Sequence, residues 1–116
     1  FFQLNEFLLS TIASKFSIEN KLADISQFRN LCNLLLETLL PARLQLQHPI
    51  FVNSGFRCPE LNRFVGGVEN SFHLSGCAAD IHCCDDSRLF EILSSLPHTE
   101  LLIYPSFIHV ALCSNL

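Results

Sequence analysis

The apolar pattern between residues 24 and 40 constrains the fold of this chain more than any other feature. Large side chains recur there at helical spacing: Phe28, Leu31, Cys32, Leu35, Leu36, Leu39 and Leu40. Such a stripe is typical of an amphipathic helix that packs one face on a core. Ser26 is the expected N-cap, and Pro41 is expected to end or kink this helix. The densest apolar part, Leu31 to Leu40, is too short for a membrane span, which needs about 20 apolar residues.

Shorter patterns before and after this helix predict the remaining elements. Helices are expected over residues 5–15 with Asn5 as N-cap, over 58–65 with Pro59 in the first turn, and over 86–96 with Asp85 or Asp86 as cap. Strands are expected over residues 50–52, 78–83, 100–104 and 107–112, and the last two are expected to form a hairpin. This order predicts an α+β domain with a small, mainly antiparallel sheet packed with helices.

Length and charge limit the class of protein. The 116 residues fit a single domain over 1–116, and 49% apolar residues are enough to build a core. With 11 acidic and 7 basic residues the net charge is −4, which disfavours nucleic acid or an anionic membrane as a partner. We therefore expect a soluble globular domain without a membrane span, and the sequence leaves the oligomeric state open.

Six cysteines raise the question of disulfide bonds. Their spacings form no repeat, no CxxC pair exists, and Cys83 and Cys84 are adjacent. Cys32 lies inside the helical apolar pattern, where a free cysteine behaves as a small hydrophobic residue. The first residues lack the basic region of a signal peptide. We expect reduced, mostly buried thiols and a protein that is cytoplasmic as synthesised.

Polar side chains on two predicted strands can meet on one face of the sheet. Strand alternation places Asp80 opposite to the apolar Ala79 and Ile81, and it separates His109 from its apolar neighbours in the same way. If these strands are neighbours, Asp80 and His109 converge and His73 arrives from the preceding loop. Two imidazoles and one carboxylate suit a divalent metal, above all zinc, with water in the fourth position.

Each of these residues also has a plain structural interpretation. A histidine inside an apolar strand is commonly a hydrogen-bonded core or edge residue, and Asp80 could satisfy backbone groups at a strand end. His82 shares a face with Asp80 and is a rival ligand. His48 and His98 lie beside prolines, where solvent exposure is expected.

Several motifs together carry a family resemblance. They are Ser71-x-His73-x-x-Gly76-x-Ala78-x-Asp80, His109 in an apolar strand, Ser54-Gly55-Phe56-Arg57, the stretch Leu61–Val68, and Leu39-Leu40-Pro41-Ala42-Arg43. This set resembles the zinc D-alanyl-D-alanine carboxypeptidase family, whose superfamily includes vancomycin-resistance dipeptidases, phage endolysin peptidases and the hedgehog signalling domain. The resemblance is clearest from about residue 30 to 112, and it implies a hedgehog/DD-peptidase-like fold.

The resemblance implies roles for individual residues. His73, Asp80 and His109 would be the zinc ligands. Arg57 would hold or polarise the substrate, since its fixed charge suits a carboxylate or an oxyanion. Its alternative is a surface ion pair with Glu60 or Glu69.

The same resemblance gives less definite roles elsewhere. Ser71 would either bind substrate or shape its loop, and the loop role is favoured; Gly76 and Ala78 would leave room for the metal. Many relatives place an acid two or three residues before the last histidine, where this chain has Ser106 and Phe107. Glu100 would then be the general base, and its alternative is a solvated strand end.

The leading hypothesis is a zinc-dependent peptidase that hydrolyses peptidoglycan stem peptides, as a D,D-carboxypeptidase or an endolysin-like endopeptidase of bacterial or phage origin acting at the cell wall. The alternative is a catalytically impaired module that binds metal or cell wall on the same fold. The missing acid before His109 and the apolar residues Phe72 and Leu101, which replace polar residues common in the family, favour it; Cys77 is a further departure, where arginine is usual. A third possibility is that Cys77, Cys83 or Cys84 helps to bind metal.

Overall fold

A four-stranded antiparallel sheet organises the protein, as seen in a computed structural model in which residues 2–113 are described. The strands are β1 (Phe51–Ser54), β2 (Ala78–His82), β3 (Glu100–Ile103) and β4 (Ile108–Ala111), in the spatial order β1-β2-β4-β3. β3 and β4 form the predicted hairpin, and β2 pairs with β4 as the site hypothesis required. The α+β prediction is confirmed.

Five α-helices accompany the sheet among the described residues: α1 (Thr11–Lys15), α2 (Ile25–Leu34), α3 (Leu40–Leu46), α4 (Pro59–Phe64) and α5 (Asp86–Ser94). Single 3-10 turns occur at Leu4–Phe7 and Phe72–Ser75, and a π-helical turn covers Leu35–Leu39. α4, β2, α5, β3 and β4 end within two residues of their predicted limits. Asp85, one of the two expected caps of α5, accepts a hydrogen bond from the Arg88 N–H at 3.1 Å.

The prediction of one helix over residues 5–15 is wrong. The chain forms the 3-10 turn Leu4–Phe7, leaves helical geometry, and starts α1 only at Thr11. Ser10 caps α1 through a 3.1 Å hydrogen bond from the Ala13 N–H, so Asn5 is not its N-cap. The break has a tertiary cause, because the Phe7 carbonyl accepts a 2.8 Å hydrogen bond from the Phe56 N–H, just after β1. The Phe7 side chain is fully buried in the core.

The long helix predicted over 24–40 is present in altered form. Asp24, not Ser26, is its N-cap, with the carboxylate accepting a hydrogen bond from the Gln27 N–H at 3.2 Å. Pro41 does not end the helical segment, which continues as α3 to Leu46. The irregularity lies before Pro41, where the Leu40 N–H bonds to the Leu35 carbonyl, five residues back. This wide turn lets residues on both sides of it face the core.

The first strand is displaced from its predicted limits. It begins at Phe51, one residue later than predicted, and continues through Asn53 to Ser54, two residues beyond the predicted end. β1 lies at the edge of the sheet, and the register with β2 shifts between Val52 and Ser54. Such an irregularity bends the end of an edge strand. Here it carries the chain toward Arg57.

The core lies between one face of the sheet and the helices α2, α3 and α5. It contains Leu31, Leu34, Leu39, Ala42, Leu46, Ala79, Ile81, Leu89, Leu93, Ile108 and Val110. Ala79 and Ile81 are fully buried, which confirms them as the core side of β2. The opposite face of the sheet is therefore available for polar side chains. Within residues 2–113, no helix has the length and apolar character needed to cross a membrane.

The cysteines are free thiols, as predicted. All six lie within the described residues, and none forms a disulfide. The expectation that most are buried is wrong, because Cys77 alone is fully buried and Cys84 is exposed. Cys83 packs against the core from the side of β2 opposite to Asp80.

Candidate metal centre

Asp80 and His109 are direct partners across β2 and β4. Directly paired residues of antiparallel strands project to the same face, so the register alone brings the two side chains together. His109 Nδ1 lies 2.8 Å from Asp80 Oδ1, and each side chain is 14% exposed.

His73 reaches the same point from the 3-10 turn Phe72–Ser75. The Ser71 hydroxyl caps this turn by accepting a hydrogen bond from the His73 N–H at 3.2 Å, which supports the loop role expected for Ser71. His73 Nε2 lies 3.3 Å from Asp80 Oδ1. His73 Nδ1 lies 2.6 Å from the Gly55 carbonyl oxygen, which can only accept. The proton therefore resides on Nδ1, and Nε2 offers its lone pair to the cluster.

Charge is concentrated at this cluster. Burial alone would raise the pKa of the Asp80 carboxyl, but its contacts with the imidazoles of His109 and His73 outweigh burial and hold that pKa far below its usual range. The hydrogen bond to Asp80 raises the pKa of His109 against the opposing effect of burial, and Glu100 adds to the rise. Asp80 is thus an anionic carboxylate throughout the neutral range.

Arg57 is held at three nitrogens beside Asp80. Nη2 lies 3.6 Å from Asp80 Oδ2, Nε donates to the Ser54 hydroxyl at 3.3 Å, and Nη1 donates to Asn62 Oδ1 at 3.2 Å. Its side chain is 18% exposed. The expected alternative, a surface ion pair with Glu60 or Glu69, is not what the structure has. A guanidinium carries five N–H groups, so this arrangement fixes the cation and leaves N–H groups for a ligand.

Glu100 lies on the far side of His109. Its carboxylate Oε1 is 2.6 Å from His109 Nε2, while Nδ1 of the same ring faces Asp80. Glu100 opens β3 and stands diagonal to His109, which pairs with Leu102. The role of Glu100 as general base stays a prediction.

The donor set fits a metal ion. His73, Asp80 and His109 each offer one ligand atom, and these atoms lie within 4.8 Å of one another. Two imidazole nitrogens and one carboxylate oxygen suit zinc in a site that keeps an open position. Each ligand is also held at its other polar atom, by Gly55, Arg57 or Glu100, which is the outer support that ligating histidines and carboxylates have in metal sites.

The other metal candidates lie outside this group. His82 stacks on the ring of Phe51 with centroids 5.3 Å apart. Burial raises the pKa of the Cys77 thiol to about 11, whereas a cysteine ligand is a thiolate. His48 and His98 are exposed, as predicted. In the described part of the chain, the group that could hold a metal is formed by histidine and aspartate alone.

A cleft of about 180 Å³ opens over the cluster. Its lining consists of Arg57, Val68, Ser71, His73, Asp80, Tyr104, Phe107 and His109. Tyr104 and Phe107 stack with ring centroids 4.7 Å apart on the turn between β3 and β4. Neither these two aromatic residues nor Val68 has a role that the sequence patterns predict, because the tertiary fold alone brings them to the metal cluster.

Three supporting residues were also missed or misread. Asn62 is 3% exposed, and it binds both Arg57 and the Val68 carbonyl. Its position next to the apolar Leu61 in the helix predicted over residues 58–65 was the available signal. Gly55 acts through its carbonyl, which no side-chain pattern reveals. Gly76 has a φ of +80°, and an added Cβ would lie 2.5 Å from the Gln27 carbonyl, so it makes room for α2 rather than for the metal.

The fold and the donor set together define a small α+β domain of the metallopeptidase type. A family model described as Peptidase M15 matches residues 1–111. The chain belongs to this family of zinc peptidases, within the superfamily of D-Ala-D-Ala carboxypeptidases and the hedgehog domain. The family resemblance of the sequence motifs is thereby confirmed. No curated protein matches the chain.

Proposed function

We propose that the protein is a zinc-dependent peptidase that hydrolyses the stem peptides of peptidoglycan at the cell wall. Membership of the M15 family supports zinc peptidase activity on substrates of this kind. The observation that carries the proposal is the convergence of His73, Asp80 and His109 in one cleft with Arg57 beside them. Bound zinc would supply Lewis acidity, polarising the scissile carbonyl and lowering the pKa of water toward 7.

Arg57 gives the cleft its specificity for peptide ends or developing negative charge. The N–H groups that its present contacts leave free can donate to a terminal carboxylate or to an oxyanion. The side chain also lines a second cavity of about 250 Å³, between α1 and the end of β1. A peptide lying across Arg57 would therefore have space on both sides of the guanidinium, which supports an extended peptide substrate.

Product analysis of muropeptides tests the proposal. The zinc-loaded protein is incubated with pentapeptide and cross-linked muropeptides, and the products are identified by mass spectrometry. Release of D-alanine indicates a D,D-carboxypeptidase, and cut stems or cross-links indicate an endopeptidase. The matched controls are His73→Ala and His109→Ala, which should form no product. A zinc-loaded wild type that forms neither product contradicts the peptidase proposal.

A second function, binding without hydrolysis, is favoured by one observation. Among the described residues that line the cleft, Asp80 is the single carboxylate, and Glu100 is turned to His109 Nε2. General-base chemistry commonly uses a carboxylate or imidazole within hydrogen-bond reach of the reacting proton. Co-sedimentation with purified peptidoglycan in the absence of any released product would support this second function.

A further inference from the structure

The contact between Glu100 and His109 is one of two short polar contacts that reach the metal cluster from residues outside the cleft lining; the other joins the Gly55 carbonyl to His73. Glu100 Oε1 lies 2.6 Å from His109 Nε2, and it is not among the residues that line the cleft. A carboxylate can only accept from this nitrogen, so the proton of the ring resides on Nε2 when Nδ1 serves as a ligand.

The geometry separates Glu100 from the point where substrate would react. His109 Nδ1 faces Asp80 Oδ1 at 2.8 Å and is the nitrogen on the side of the cluster, whereas Glu100 contacts Nε2 at the other side of the ring. The imidazole thus stands between the Glu100 carboxylate and the shared centre of the three donor atoms. A general base has to lie within hydrogen-bond reach of the proton it removes, directly or through one water molecule.

We propose that Glu100 is a positioning residue that holds His109 in the tautomer and orientation needed to bind zinc through Nδ1. This inference rests on the proposed zinc site. In the zinc-loaded protein this hydrogen bond would keep the proton on Nε2, leave the lone pair of Nδ1 for the metal, and increase the basicity of the ligand nitrogen. The carboxylate reaches His109 because Glu100 opens β3 diagonal to it.

The surroundings of Glu100 make this role separable from a role in folding. Its side chain is 43% exposed, and β3 lies at the edge of the sheet. Replacing it therefore removes little buried surface. Glu91, which is exposed on α5 and carries the same charge, provides a matched control for the loss of one carboxylate.

Zinc affinity is the first measurement. Dissociation constants are determined by competition with a chromogenic chelator for wild type, Glu100→Gln, Glu100→Ala and Glu91→Ala. We expect Glu100→Ala to weaken zinc binding by about 10–100-fold, the usual loss when such a partner is removed. Glu100→Gln should weaken it less, because the amide oxygen still accepts from Nε2–H. Glu91→Ala should bind zinc as wild type does.

The protonation of His109 is the second measurement. In zinc-loaded wild type, imidazole ¹H–¹⁵N spectra should show a slowly exchanging proton on His109 Nε2, and this signal should be lost in Glu100→Ala. A purely structural role of Glu100 would lower the free energy of unfolding of the metal-free protein without moving this signal.

The outcomes distinguish this inference from the proposed function. Zinc affinity of Glu100→Ala within threefold of wild type, in a protein that hydrolyses muropeptides, would overturn the positioning role and leave the peptidase standing. It would also return Glu100 to the role of general base if peptidase activity were lost in that variant. Failure of wild type to bind one zinc ion per chain would overturn both proposals.

Discussion

Asp80 on β2 and His109 on β4 pair directly across the sheet, and Asp80 Oδ1 lies 2.8 Å from His109 Nδ1. The pairing places two donor atoms on the polar face of a sheet whose other face, including Ala79 and Val110, is fully buried. A shift of one residue in the register would turn one of the two side chains into the core. The same alternation of side chains along β2 and β4 therefore places apolar residues in the core and the metal ligands on the opposite face.

The first prediction concerns the ligands. His73→Ala and His109→Ala should each lose stoichiometric zinc, because removal of one donor leaves two protein ligands where catalytic zinc sites use three. Metal analysis of the purified variants measures this. His82→Ala, which changes a histidine on the same strand as Asp80 but outside the cluster, should keep its zinc. One zinc ion per chain in either ligand variant contradicts the assignment.

The second prediction concerns Gly67 and the position of Arg57. A Cβ at Gly67 would overlap Asn62 Oδ1 and lie 2.9 Å from Arg57 Nη1. Gly67→Ala should therefore displace the guanidinium, lower kcat/KM and cost about 1–3 kcal/mol in the free energy of unfolding. Kinetics on muropeptides and urea denaturation measure the two effects.

The neighbouring Gly66 provides the control. It has a φ of +74° but nothing within 4 Å of an added Cβ. Gly66→Ala should cost about 1 kcal/mol of stability, from the backbone conformation alone, and should leave kcat/KM near that of wild type. Equal losses of kcat/KM in both variants would contradict the steric argument for Gly67.

The third prediction concerns pH and the metal-free protein. The pKa of His109 is raised in the folded state, mainly by the hydrogen bond to Asp80, so the folded protein binds this proton more tightly than the unfolded chain. The resulting stability is fully present below about pH 6.5, the unperturbed pKa of histidine. It is lost as pH rises through the raised pKa of the folded state.

Urea denaturation of the metal-free protein across this pH range measures the effect. The free energy of unfolding should fall with rising pH in wild type, and His109→Gln should lose this part of the dependence. Asp80 acts in the opposite direction and in another range. Its pKa is lowered, so its contribution is present above about pH 4 and is lost only in acid. A wild-type curve that is flat above pH 6 contradicts the prediction.

The fourth prediction concerns the π-helical turn. Thr38 is fully buried, and its hydroxyl donates to the Pro97 carbonyl at 2.5 Å, which ties the turn to the segment between α5 and β3. Thr38→Val keeps the shape but removes the donor, and it should cost about 1 kcal/mol of stability. Thr38→Ser keeps the hydroxyl and serves as the control in thermal denaturation. A Thr38→Val variant as stable as wild type shows that the bond contributes nothing.

The strands and the three candidate metal ligands could be predicted because the patterns that indicate them lie within short stretches of the sequence. Alternation separated Asp80 from Ala79 and Ile81, and the hairpin signal around Pro105 placed β3 beside β4. The pairing of β2 with β4 was only a condition of the site hypothesis, and the structure supplies both the pairing and its register. Family motifs selected the same three residues, so two independent patterns indicated one site.

The remaining features depend on contacts between segments that are far apart in sequence. The helix predicted from residue 5 is interrupted because the Phe7 carbonyl bonds to Phe56. The turn before Pro41 widens to five residues so that Leu34 and Leu39 can both face the core. The hydrophobic periodicity of a short stretch of sequence does not reveal the hydrogen bond from Phe56 to Phe7 or the wide helical turn. The contact of Glu100 with His109 is similar, since the sequence indicated an acid near the site but not which side of the imidazole it would reach.

The close approach of Phe7 to Gly55 has a consequence for the metal ligand that lies beyond it. An added Cβ at Gly55 would lie 2.6 Å from the Phe7 carbonyl oxygen, and the carbonyl of Gly55 accepts the His73 Nδ1 proton on its other side. The peptide group that orients His73 is therefore clamped between the N-terminal segment and the imidazole. Residues 4–10 do not line the metal cleft, yet they support the position of His73 through Gly55. A displacement of residues 4–10 should therefore move the Gly55 carbonyl and rotate the His73 ring in the cleft.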